Sequence, residues 1–274
     1  MRRAAVVLFA GLALVYAGVC AIMFFRQASY VYFPERAYDA TPETVGLPYE
    51  PVRLRATDGV DLSAWWIPAQ ASRGALVFAH GNGGNMSHRL DKAAHLRSLG
   101  LSVLLFDYRG YGGSGGAPTE EGTYADMDAA LDHVVRRRDA APPRVVLYGE
   151  SLGGAVAVEA ATRHACAAVV VESTFTSLRA MARHYYPLVP SGLLRLRYDS
   201  AGRIGAVRCP VLVLHSREDD IVPYAMGRAL FAAAREPKRF ADLRGSHNGG
   251  GLMASPEAQS ALAAFLDEVL GDER

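Results

Sequence analysis

In the run Gly149-Glu150-Ser151-Leu152-Gly153 a serine stands midway between two glycines. The apolar stretch Val145 to Tyr148 leads into it, and a stretch of small residues begins at Leu152. This order predicts a sharp turn from a strand into a helix. Glycine is needed two residues before and two after the serine, because side chains there would collide with the neighbouring strand or helix. The turn lifts the hydroxyl above the sheet and aims a helix N-terminus at negative charge developing beside it. A lone G-x-S-x-G is a weak pattern in a chain with 27 glycines. Its setting between strand and helix is what marks Ser151 as a nucleophile.

A serine hydroxyl attacks when a base removes its proton, and the base needs a carboxylate to orient it. His247 is the only histidine after His215 and lies in the loop-like run Gly245-Ser246-His247-Asn248-Gly249-Gly250. It is the expected general base. The run His215-Ser216-Arg217-Glu218-Asp219-Asp220-Ile221-Val222-Pro223 follows an apolar strand and offers three carboxylates. Asp219 is the preferred partner, Asp220 the alternative, and Glu218 reads as a surface charge. Glu172, ending the preceding strand, would be the acid only in a rearranged triad; hydrogen bonding within a cap suits it better.

A tetrahedral intermediate needs two amide donors. The N–H of Leu152 is one. Asn82, in His80-Gly81-Asn82-Gly83-Gly84-Asn85, is the other, with His80 bracing the loop. These glycines match neither a P-loop nor a dinucleotide fingerprint. No histidine pair with a carboxylate stands at helical ligand spacing, so neither cofactor nor metal is expected.

These residues need a scaffold. Pro51 to Thr57 and Val60 to Ile67 read as two strands joined at Asp58-Gly59. The near-continuous apolar runs Ala75 to Ala79, Leu101 to Phe106, Val145 to Tyr148, Ala168 to Val171 and Val211 to Leu214 suit parallel strands buried on both faces. Helical stretches lie between them: Met86 to Leu99, Glu120 to Arg138, Leu152 to His164, Tyr224 to Ala234 and Pro256 to Leu270. The alternation predicts an α/β sandwich with a mostly parallel central sheet flanked by helices, and a site at the strands' carboxyl ends. Residues 173–207, rich in aromatics and proline, interrupt the rhythm and read as a small cap.

The stretches Phe78 to Arg89, Phe106 to Gly116, Gly149 to Gly154, His215 to Pro223 and Gly245 to Asn248 resemble the α/β-hydrolase superfamily. More narrowly they resemble its membrane-anchored branch, akin to the abhydrolase-domain depalmitoylases and often labelled prolyl-oligopeptidase-like. The resemblance runs over residues 28–270 with the motifs in family order. It implies Ser151 as nucleophile, Asp219 as acid, His247 as base and oxyanion donors at Asn82 and Leu152. It also implies a structural role for Asp107-Tyr108-Arg109-Gly110, beneath the site. Ser216 departs from the family's frequent glycine, with no effect expected. Relatives of this kind split esters, thioesters and amides, so the substrate is left open.

Residues Ala4 to Phe25 form 22 uncharged positions flanked by Arg2-Arg3 and Arg26. That length covers a hydrocarbon core of roughly 30 Å. An uncleaved signal-anchor over 1–26 is the preferred reading, with a cleaved signal peptide or lipidation at Cys20 as alternatives. Arg2 and Arg3 favour a non-cytoplasmic domain, although Arg26 and Arg36 weaken the asymmetry. Residues 27–50 read as a tether, and 51–274 as the hydrolase domain. Half of the residues are hydrophobic and 21% are charged, which predicts a large core. Lys+Arg 29 against Asp+Glu 28 leaves no basic field for nucleic acid. Cys20, Cys166 and Cys209 are too scattered for a disulfide framework or a zinc site, and the last two read as core thiols.

The resulting expectation is a Ser-His-Asp hydrolase cleaving a hydrophobic, lipid-like acyl ester or thioester near a membrane. The alternatives are a peptidase of prolyl-oligopeptidase-like type and a non-catalytic, membrane-anchored binding protein.

Overall fold

The computed structural model describes residues 2–137 and 144–271. Arg138, the last residue of both a predicted helix and the basic run Arg136-Arg137-Arg138, lies outside them. Eight strands build the sheet. They are β1 (Glu50–Arg55), β2 (Asp61–Ile67), β3 (Gly74–Ala79), β4 (Leu101–Phe106), β5 (Val145–Glu150), β6 (Ala168–Glu172), β7 (Val211–Ser216) and β8 (Lys238–Leu243). Their spatial order is β8-β7-β6-β5-β3-β4-β2-β1. From β4 to β8 every pairing is parallel, whereas β2 runs antiparallel to both β4 and β1.

Strand pleating divides the core. In β3, Ala75, Val77 and Ala79 enter one apolar cluster, while Leu76 and Phe78 enter the other. This follows from alternate side chains pointing to opposite faces. Helices α3 (Glu120–Arg136) and α4 (Leu152–Arg163) cover the first face; α2 (Leu90–Ser98) and α8 (Pro256–Leu270) cover the second. The sheet's carboxyl ends therefore remain clear for loops, with β5 near the centre. The cap contributes α5 (Leu178–Tyr185) and α6 (Ser200–Ile204), and α7 (Tyr224–Ala233) follows β7.

The apolar runs fall on β3 to β7 as expected. The edge strand β8 was not among them: Lys-Arg-Phe-Ala-Asp-Leu mixes charge with apolar residues because one side of the strand has no partner.

Residues 27–50 are more than a spacer. Gln27, Tyr32 and Leu47 are buried, and Phe33–Pro34 pairs in parallel with Gly83–Gly84. Before them runs α1 (Arg2–Arg26), whose residues are not buried in the protein. Among the described residues, the stretch from Arg2 to Tyr30 is the one helical segment long and apolar enough to cross a membrane.

Candidate active site

Ser151 lies between β5 and α4 with φ 52° and ψ −114°. A non-glycine residue rarely occupies that region, and holding it there costs roughly 1–3 kcal/mol. The surroundings enforce it. Ser151 N–H donates to the Glu172 carbonyl at 2.8 Å, and its own carbonyl accepts the Thr174 hydroxyl at 2.6 Å. A Cβ on Gly149 would meet the Gly153 carbonyl oxygen at 2.2 Å, and one on Gly153 the Ala79 carbonyl oxygen at 1.9 Å. The two glycines are steric requirements of the turn.

His247 Nε2 lies 3.1 Å from Ser151 Oγ. The other ring nitrogen, Nδ1, is 3.0 and 2.9 Å from the two oxygens of Asp219. Asp219 also accepts the N–H groups of Ile221 at 3.0 Å and Val222 at 2.7 Å. Burial raises its pKa, but His247 and these amides outweigh that and hold it below the usual carboxylate range. The carboxylate is therefore ionised in neutral solution.

Asp220 instead accepts the backbone N–H of His247 at 3.0 Å. Glu218 accepts the N–H of Gly245 at 2.9 Å, and Ser216 Oγ donates to the Gly245 carbonyl at 2.6 Å. The loops after β7 and β8 are thus stitched together at three points besides the imidazole. Glu218 is more than a surface charge. Ser216, expected to be without consequence, is one of the stitches.

Asn82 and Leu152 line the same cavity as Ser151 and His247. Leu152 opens α4, where helix N–H groups point outward. Asn82 is fixed on three sides. Its side-chain amide donates to the Val31 carbonyl at 2.7 Å, and its carbonyl accepts from Phe33 N–H at 2.9 Å and Tyr111 hydroxyl at 2.8 Å. His80 is buried, packs on the rings of Tyr108 and Tyr111, and puts Nε2 3.5 Å from Asp107 Oδ1. Asp107 accepts Met86 N–H at 2.8 Å, and Arg109 pairs with Asp126 at 2.8 Å. These contacts brace the loop that carries Asn82.

Glu172 does not bond within the cap. Its side chain accepts from Lys92 at 2.7 Å, from Leu252 N–H at 2.9 Å and from the Tyr148 hydroxyl. Lys92 also reaches Glu150 at 2.6 Å, and Arg89 meets Glu150 at 3.1 Å. Two cations thus balance two carboxylates directly behind the nucleophile. Burial raises the Glu150 pKa, but Lys92 and Arg89 outweigh it and bring the group down to about 2. Nothing in the sequence pairs residues 58 and 80 positions apart, so this cluster was not legible there.

The cavity above Ser151 has a volume of about 760 Å³. Met23 and Phe24, at the end of α1, form part of its wall together with Leu178, Met181 and Tyr185 of the cap. Gln27 fixes that junction: its side-chain oxygen accepts the N–H groups of Arg195 at 2.7 Å and Leu196 at 3.1 Å. Further along α1, Tyr16 donates to the Leu188 carbonyl at 2.7 Å. Leu188, at the cap's tip, is 83% exposed.

This geometry coincides with the chain's relationships. An uncharacterized protein of Mycobacterium tuberculosis is 40% identical over 94% of each chain. The α/β-hydrolase domain-containing protein WAV2 of Arabidopsis thaliana is 34% identical over 82% of this chain and 81% of its own. The chain belongs to the α/β-hydrolase superfamily. Within that superfamily the family described as serine aminopeptidase, S33, matches residues 70–204. An esterase of Pyrococcus furiosus shares the α/β-hydrolase fold, with a TM-score of 0.71 at 20% identity, covering 88% of this chain and 98% of that one. The protein is a hydrolase of this fold.

Proposed function

We propose that this hydrolase is a membrane-anchored serine esterase or thioesterase acting on hydrophobic acyl substrates. The observation that carries the reading is the hydrogen-bonded line Asp219–His247–Ser151 opening into a large cavity with apolar walls. In this mechanism His247 takes the Ser151 proton as Oγ attacks the acyl carbonyl, and the ionised Asp219 stabilises the resulting imidazolium. The oxyanion is received by the N–H groups of Leu152 and Asn82. His247 then protonates the leaving alkoxide or thiolate. Water activated by the same imidazole releases the acid and restores Ser151.

The apolar helix α1 supports the anchor, and Arg2-Arg3 at its start support a domain outside the cytoplasm. Tyr16 precedes Arg26 by ten residues, about 15 Å along the helix axis. With α1 in a bilayer, the cap tip that Tyr16 holds would reach the acyl-chain region and bring the cavity mouth to the lipid.

p-Nitrophenyl esters from acetate to palmitate, acyl thioesters and aminoacyl-coumarins test the proposal. Turnover should rise with acyl chain length and be weak on the coumarins. Cleavage confined to the coumarins would favour the peptidase reading suggested by the matching family's description. Neither turnover nor fluorophosphonate labelling would favour a binding protein.

The two adjacent aspartates give a sharper test of the acid. Asp219→Asn should lower kcat about 10⁴-fold, because the amide selects the wrong imidazole tautomer. Asp220→Asn keeps an oxygen that accepts the His247 N–H, so it should lower kcat less than about tenfold. A reversed order in steady-state kinetics would exchange their roles.

A further inference from the structure

Cys166 and Cys209 are 43 positions apart, yet the parallel pairing of β6 with β7 brings them together. Val169 is the register partner of Val211, and its N–H donates to the Pro210 carbonyl at 2.9 Å. Cys166 lies three residues before Val169 and Cys209 two before Val211, so both sit at the amino ends of adjacent strands. Their Sγ atoms are 3.1 Å apart. A disulfide needs about 2.05 Å, and changes in the two side-chain torsions supply movement of this size without displacing strands. Both residues are partly exposed, which admits a reagent.

We propose that Cys166 and Cys209 are a disulfide-forming pair that cross-links the base of the sheet beneath the cap. The segment they enclose carries β6, including Glu172 at its end, and the whole cap. Reduced, the pair shares a hydrogen bond that pushes the Cys166 thiol up and draws the Cys209 thiol down. Cys209, as the thiolate, can start exchange. It attacks one sulfur of an external disulfide, such as oxidised glutathione or an oxidoreductase's disulfide, and expels one thiolate. Cys166 loses its proton and attacks the Cys209 sulfur of the mixed disulfide, expelling the second. Two protein thiols are oxidised by two electrons, and one external disulfide is reduced to two thiols. Reagents of this class are available outside the cytoplasm. The site is remote from Ser151, which occupies the opposite, carboxyl end of the sheet.

The test uses the full-length chain in detergent, incubated with excess oxidised glutathione, alkylated after denaturation and mapped by mass spectrometry. One alkylated cysteine, Cys20, should remain of the three, together with a linked Cys166–Cys209 peptide. The melting temperature should rise by roughly 5–10 °C over the reduced chain, because closing a loop of this length restricts the unfolded ensemble. Cys166→Ser and Cys209→Ser should each lose both the linked peptide and the oxidant-dependent rise. Three alkylated cysteines after oxidation, or glutathione adducts without the linked peptide, would overturn the pairing. A linked peptide with an unchanged or lower melting temperature would overturn its role as a stabilising cross-link.

Discussion

Replacing Ser151 by alanine is expected to lower turnover of p-nitrophenyl esters roughly 10⁴–10⁶-fold, the loss seen when a triad nucleophile is removed. It should also abolish labelling by a fluorophosphonate probe. The expectation rests on a single hydroxyl, 3.1 Å from His247 Nε2, on a backbone that the turn cannot relax. Ser151→Gly separates chemistry from strain. Both variants lack the nucleophile, but only glycine is at ease at φ 52° and ψ −114°. The glycine variant should therefore be more stable than the alanine variant by about 1 kcal/mol, read from thermal melting of the solubilised protein. Retained labelling in either variant would assign the nucleophile to another residue.

The second large effect is on stability. Lys92→Met leaves Glu150 with Arg89 alone and strips Glu172 of its cation. Removing one partner from a buried ion pair costs about 3–5 kcal/mol, which for a domain of this size corresponds to a melting temperature lower by about 10 °C. Its pH dependence follows from Glu150. The folded-state pKa is depressed to about 2 from an ordinary value of 4.5. The stabilisation is therefore present above about 4.5 and is lost as pH falls through 2. In the Met variant much of it is already gone, so the gap between the two proteins should narrow from pH 7 to pH 3. Adding Glu172→Gln should recover part of the loss, since the partner charge left behind is the main cost. Equal melting temperatures at pH 7 would show that the cluster contributes nothing.

Much of the fold was legible because β3 to β7 are buried on both faces and so read as unbroken apolar runs. The nearness of Ser151, Asp219 and His247 was legible for a related reason: each sits in the loop after a strand, and strand order brings those loops together. Contacts between distant chain segments left no local signature. Lys92 gives no sign of meeting Glu150 and Glu172, nor Gln27 of holding Arg195 and Leu196. Cys166 and Cys209 looked scattered because spacing along the chain says nothing about parallel register. The bond made by Ser216 was not legible either, because its acceptor is a carbonyl 29 positions away.

The way the cap is tied down bears on how it can move. Its two legs bond to each other, Leu178 N–H to the Arg197 carbonyl and Ala201 N–H to the Thr176 carbonyl, both at 2.9 Å. Glu120 of α3 holds the backbone N–H groups of Arg197 and Tyr198, and Gln27 holds those of Arg195 and Leu196. These bonds tie both footings of the cap to the body of the protein. At the tip Tyr186 and Leu188 are exposed, while the Tyr185 hydroxyl donates to the Ile221 carbonyl at 2.6 Å. If the proposed acyl substrates enter beside this tip, side-chain rotation there, in picoseconds to nanoseconds, would set their passage more than any swing of the cap.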